Sequence, residues 1–165
     1  MRPVPAALTW LAISALLAAP AAAGVPAPAA FGVADRTAVL TVHAEGAQVY
    51  ECKPGPDGGP VWSFREPIAT LISDGRTVGR HFAGPSWQVG EEVVKGRLAG
   101  SAPGTTPADI PWLKLDLVEH HGAGVLKDAA LVVRLATHGG VLTGGCDTQG
   151  ALRAVSYSAD YVFLR

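Results

Sequence analysis

The sequence predicts an all-β domain, an antiparallel β-barrel or β-sandwich of about eight to ten short strands, with little helix outside the N-terminal segment. Three observations carry that expectation. Apolar residues recur at every second position through much of the chain after residue 36, the period of a strand whose two faces meet different surroundings. The 20 Gly and 13 Pro residues gather largely between those runs, where they punctuate chain reversals. Beyond the N-terminal segment no stretch of a dozen residues keeps helical spacing; at most a single helical turn fits near Glu66–Ala69 or Pro107–Ile110.

The elements follow in order. "MRPVPAALTWLAISALLAAPAAAG" has one charge, Arg2, an apolar run from Ala6 to Ala19, and the small residues Ala21 to Ala23. That is the layout of a secretory signal peptide over residues 1–23, and the run is short and alanine-rich for a membrane span. Residues 24–36, "GVPAPAAFGVADR", read as an extended lead-in, and 37–165 as a single β domain. "AVLTVHA" (38–44) and "GAQVYECK" (46–53) alternate as two strands; "PGPDGG" (54–59) turns the chain into "PVWSF" (60–64). "IATLIS" (68–73) pairs across Asp74-Gly75 with "TVGRHFAG" (77–84), and "EVVKGRLAG" (92–100) follows. After the loop "SAPGTTPADIP" comes the clearest strand, "WLKLDLVEH" (112–120), with Leu113, Leu115 and Leu117 inward and Lys114 and Asp116 outward. "ALVVRLATH" (130–138) alternates in the same way, with Leu131, Val133 and Leu135 on one face and Arg134 on the other. A glycine-rich loop (139–151) leads to "LRAVSYSADYVFLR" (152–165), one or two closing strands.

Charge narrows the partners. Thirteen Lys and Arg against 14 Asp and Glu give a net charge of −1, which argues against nucleic acid because that partner demands a basic stripe. No apolar run after signal cleavage is long enough to span a membrane. The two cysteines, Cys52 and Cys146, lie in the exported part, where two thiols most often pair. A bridge over so long a loop contributes roughly 3–4 kcal/mol. A metal site, a reactive thiol or two inert free thiols are the other readings of the same residues.

Seven short segments, "GAQVYEC", "HFAGPSW", "IPWLKL", "GAGVL", "VVRLATHGG", "GCD" and "VSYSADYVF", occur in an order that resembles the DUF3455 family. The likeness runs from about Ala30 to Leu164. It implies an exported protein of a group found in bacteria and fungi and named for its unknown function. Some fungal relatives carry a malate dehydrogenase label. This chain has no dinucleotide loop to match: "GAGVLK" (122–127) lacks the third glycine, the helix after it and the acidic residue of a βαβ unit.

Two stretches concentrate chemistry. In "RHFAGPSW" (80–87), His81 and Phe82 face opposite sides of a strand, Gly84-Pro85 ends it, and Trp87 folds back as a plug. Imidazole serves as metal ligand or proton carrier, while a strand end with a hydrogen-bonded histidine is the plainer reading. Ser86 is no nucleophile elbow, since Gln88 stands where G-x-S-x-G demands glycine. In "THGGVLTGGCD", His138, Cys146 and Asp147 are separated by glycines, but the spacing matches no known metal-ligand pattern. His43 and His120-His121 read as surface or turn residues, Trp62, Trp87 and Trp112 as core or barrel plugs, and Glu91-Glu92, Asp109, Asp116, Glu119 and Asp160 as mostly solvated.

The leading expectation is a secreted or periplasmic, non-enzymatic binding or structural module, tied by Cys52–Cys146. Its candidate pocket is His81, Trp87, His138 and Asp147 at one end of the fold. A small-molecule ligand fits that reading; no metal and no cofactor is implied, and the oligomeric state stays open. The alternative is a hydrolytic or metal-dependent enzyme of the cell envelope using His81, His138 and perhaps Asp147, which demands that these side chains converge. A secreted interaction partner would instead expose an apolar patch of several hundred Å².

Overall fold

A computed structural model describes residues 27–165; the expected signal peptide lies outside the described residues. Eight strands follow in chain order: β1 (Ala38–Pro54), β2 (Pro60–Ser73), β3 (Arg76–Phe82), β4 (Ser86–Val89), β5 (Glu92–Ala102), β6 (Trp112–His121), β7 (Leu131–Gly139) and β8 (Leu152–Leu164). Each pairs antiparallel with the next, and β8 returns to β1, with Ala44 opposite Ala159. The sheet therefore closes on itself as a barrel, with β2 paired to β3 only from Ala69 to Ser73 and β5 to β4 only from Glu92 to Lys95.

Two strands run longer than the turn signals suggest. β1 passes without a break through Glu45-Gly46, because Gly46 lies tight against β2: a Cβ there would run into the Ile68 carbonyl and sit 2.7 Å from the Ala69 Cβ. β2 is one strand from Pro60 through Pro67 to Ser73, so Glu66–Ala69 is extended and not a helical turn. A register shift between Val49 and Tyr50 leaves Arg65 unpaired just before Pro67. Such a bulge is where a sheet tolerates a residue that has no N–H to give.

The barrel interior holds the main core, built around Trp87, Tyr161, Phe163, Leu71, Val94 and Leu115. Leu113, Leu115 and Leu117 all pack toward it, as their alternation predicts. β7 departs from expectation. Val132 belongs to the main core, whereas Leu131, Val133 and Leu135 form a second cluster with Phe31 and Leu164. Arg134, which shares its face with Val132, points inward and is buried. The reason lies in the lead-in, which is not simply extended: Ala29–Phe31 makes a 3₁₀ turn. Phe31 is laid on the outside of β7 and β8, and the Lys114 ammonium donates to its carbonyl at 2.8 Å.

The two barrel ends differ. At the end bearing the β2–β3, β4–β5 and β6–β7 connections, Leu126 and Ala129 enter the core as a stopper. The Leu126 N–H donates to the Glu92 carboxylate at 2.8 Å, so Glu92 is buried and not solvated as its sequence position suggests. At the other end, the Cys52–Cys146 disulfide ties β1 to the β7–β8 loop, with Cα atoms 5.9 Å apart. The Tyr50 hydroxyl donates to the Gly140 carbonyl at 2.7 Å, and the Asp109 carboxylate accepts the Gly139 N–H at 2.7 Å. These links brace the long loops of that end into a fixed rim.

Candidate functional site

The braced end encloses a partly open cavity of about 550 Å³. Its size falls in the range that holds one small ligand, and eight-stranded barrels are about wide enough to do so. Leu113, Leu115, Ile110 and Pro85 give it apolar walls. Phe64 and Leu98 also line it and are 55% and 60% exposed, which places them at the mouth. The polar groups lie deeper: His81, Gln48 and Arg134 line the cavity and are buried.

His81 sits near the end of β3, directly opposite Trp87 on β4. The two rings stack at 4.6 Å between centroids with planes 9° apart, and Tyr161 packs at 5.0 Å from the imidazole. Phe82, next in the chain, faces the other way and lies under the Arg80 guanidinium on the outer surface. The strand alternation expected for "RHF" is thus present. His81 Nδ1 lies 2.8 Å from the Ser86 carbonyl oxygen. A carbonyl only accepts, so Nδ1 carries the hydrogen and the neutral ring keeps its lone pair on Nε2. Burial pushes the His81 pKa down to about 3; the Ser86 carbonyl opposes that shift, and the Arg134 cation adds to it.

Arg134 is 9% exposed. Its Nε–H and one Nη2–H both donate to the Pro111 carbonyl, at 3.0 and 2.8 Å. Among the described residues no carboxylate lies within 4.0 Å of it. The Tyr157 and Tyr161 hydroxyls neighbour one another and Arg134 without a well-formed hydrogen bond, and burial raises the pKa of both phenols. Gln48 Nε2 and Trp87 Nε1 are likewise buried with no partner. A buried guanidinium without a counter-charge, set among unpartnered donors, is an uncommon arrangement.

Residues 33–165 match a family described as "Protein of unknown function (DUF3455)". The chain belongs to the DUF3455 family. No curated protein and no solved structure matches it.

Of the four pocket residues expected from the sequence of this DUF3455 chain, the structure brings two together. His81 lines the cavity and Trp87 backs it. His138 and Asp147 are exposed and do not line it. His138 pairs with Ser158, one position from the inward Tyr157, so its side chain lies on the outside of the barrel. Asp147 follows the buried Cys146 in the surface loop. Among the described residues no three His, Cys, Asp or Glu side chains are grouped to hold a metal ion. Trp87 is the fully buried plug, while Trp62 and Trp112 are only partly buried.

Sequence reasoning missed Gln48 and Arg134. For Arg134 a signal existed. "LVVRL" is apolar on both sides of the arginine, and a run apolar at consecutive positions marks a strand buried on both faces. An arginine inside such a strand is buried whichever way it points. Gln48 had no comparable mark.

Proposed function

We propose that this DUF3455 member is an exported binding module that holds one small, largely apolar molecule in the mouth of its barrel and does not transform it. The observation that carries the reading is the 550 Å³ cavity itself, apolar in its walls and supplied with a few buried polar groups at its base. The Cys52–Cys146 bridge supports export, since such bonds persist in oxidising compartments. The signal-like N-terminus points the same way. The enzymatic alternative needs His81 and His138 to act together, and they occupy opposite sides of the barrel wall. A histidine whose pKa lies near 3 is also a weak proton acceptor at neutral pH.

The test is saturable fluorescence of the apolar dye 1-N-phenylnaphthylamine with the purified mature protein. One dye per chain is expected, with binding reduced at least about tenfold by Leu113→Phe, which fills the wall with a larger ring. Absence of saturable binding by the wild-type chain refutes the reading.

A further inference from the structure

The cavity's charge balance narrows the ligand further, on the footing that the cavity binds a small molecule at all. Its lining contains two cations, Arg65 and Arg134, and no Asp or Glu. Arg65 stands at the half-exposed rim and is paired with Glu66 at 3.2 Å and, more loosely, with Glu51 at 3.9 Å. Arg134 has no such partner among the described residues and is nine-tenths buried. Two of its five N–H donors are engaged by the single Pro111 carbonyl. The rest have no carboxylate to meet. Gln48, 3% exposed and also lining the cavity, has an amide nitrogen with no acceptor.

A folded chain seldom leaves a buried cation without a counter-charge beside a buried amide donor without an acceptor. Both are donors, so the missing partner is an acceptor, and the uncompensated positive charge asks for an anion. We infer that the ligand is an amphiphile whose anionic head, a carboxylate or an anion of like size, is received by Arg134 and Gln48 while its apolar body lies along Leu113, Ile110 and Leu98 toward the mouth. The planar guanidinium offers two parallel N–H groups to such a head. Its fixed orientation on Pro111 means little side-chain freedom is lost on binding. His81 adds no charge, because its ring is neutral and its Nδ1–H is taken by Ser86. Phe64 and Leu98, exposed at the mouth, suit the emerging end of the apolar body.

The probes are octanoate and 1-octanol, which share a chain length and differ in the charge of the head. Titration calorimetry at pH 7.5 is expected to show octanoate binding the wild-type protein at least about tenfold more tightly than 1-octanol. Arg134→Met is expected to remove that preference, leaving the two affinities equal within about threefold while 1-octanol is held as before. Equal affinities in the wild-type protein, or a preference that survives Arg134→Met, overturn the anionic head and leave the binding module standing. Failure of either probe to bind, together with no saturable dye binding, defeats the binding module instead. If Arg134→Met does not fold, a measurement on the wild-type protein decides. The carbon-13 shift of carboxyl-labelled octanoate is followed against pH with the protein saturated. A pKa below that of free octanoate is expected, because a facing cation favours the ionised form; a pKa equal to or above the free value overturns the proposal.

Discussion

A histidine free in water is substantially charged at pH 6, and His81 is not, because its burial strips water from the charged ring and, to a smaller extent, because the Arg134 cation is near. The folded pKa, about 3, lies below the unfolded value of 6.5. The unfolded chain therefore takes up the proton first. The contribution of His81 to stability is intact above pH 6.5 and drains away as the pH falls from there toward 3, at up to roughly 1.4 kcal/mol per pH unit. Urea unfolding at pH 7.5, 5.5 and 4.5 measures this slope, and His81→Gln is expected to flatten it. Two other groups act in separable ways. Asp109, whose pKa is lowered chiefly by the Gly139 N–H and then by Thr106, loses its contribution only at lower pH, below the usual carboxylate value. His43, on the outer wall between Asp160 and Glu45, has a raised pKa and the opposite sign: its contribution is present in acid and is lost as the pH rises through its folded value. At this same scale Gly96 sets the space that Trp87 fills. A Cβ at Gly96 would sit 3.0 Å from the indole and 3.2 Å from Leu115. Gly96→Ala is expected to cost about 1–2 kcal/mol by overpacking, read as a shift in urea midpoint. Gly59→Ala, with open space around it, is the near-neutral control. The sequence told much of this story: alternation alone puts His81 and Phe82 on opposite faces. It did not tell which face was inner, and it had no means of joining His81 to an arginine 53 positions along the chain.

At the scale of elements, β7 is the strand that no single-faced reading describes. Its even positions, Val132 and Arg134, serve the interior, and its odd positions serve the cluster under Phe31. Residues 27–36 therefore act as a clamp on the outer wall, an element that a Pro/Ala-rich composition disguises as linker. Phe31→Ala is expected to destabilise the domain by roughly 3–5 kcal/mol, the usual cost of truncating a buried phenylalanine. The check is the thermal midpoint, together with faster hydrogen exchange in β7. The strand boundaries were legible wherever a turn needed special residues, as at Asp74-Gly75. They were misread at Gly46 and Pro67, where the same residue types serve a close approach and a bulge inside continuous strands. Glycine and proline mark backbone exceptions, and only the neighbouring strand decides whether the exception is a turn.

At the scale of the molecule, the alternation of apolar residues shows that strands exist but not how many residues each is offset from the next. That offset separates a barrel from a sandwich, and it depends on pairings such as Ala44 with Ala159 that join distant parts of the chain. The cavity was illegible for the same reason: it is the space left at one end by side chains drawn from six strands and two loops. The disulfide was readable, since two cysteines behind a signal-like N-terminal segment have few better fates. Its removal in a Cys52→Ala, Cys146→Ala double variant is expected to cost roughly 3–4 kcal/mol, measured by denaturant unfolding against the oxidised parent. The same variant is expected to weaken dye binding, because the bridge anchors β1 at Cys52, two residues from the cavity-lining Tyr50.

The seam of the ring has a temporal consequence. The first strand zips to the last, from Glu51 with Leu152 to Ala38 with Leu164, so the native pairing has no local precursor, and such distant contacts form slowly. A growing chain can pair each strand with the next as it emerges, but it cannot shut the ring until β8 is released. Up to that moment β1 keeps one side open.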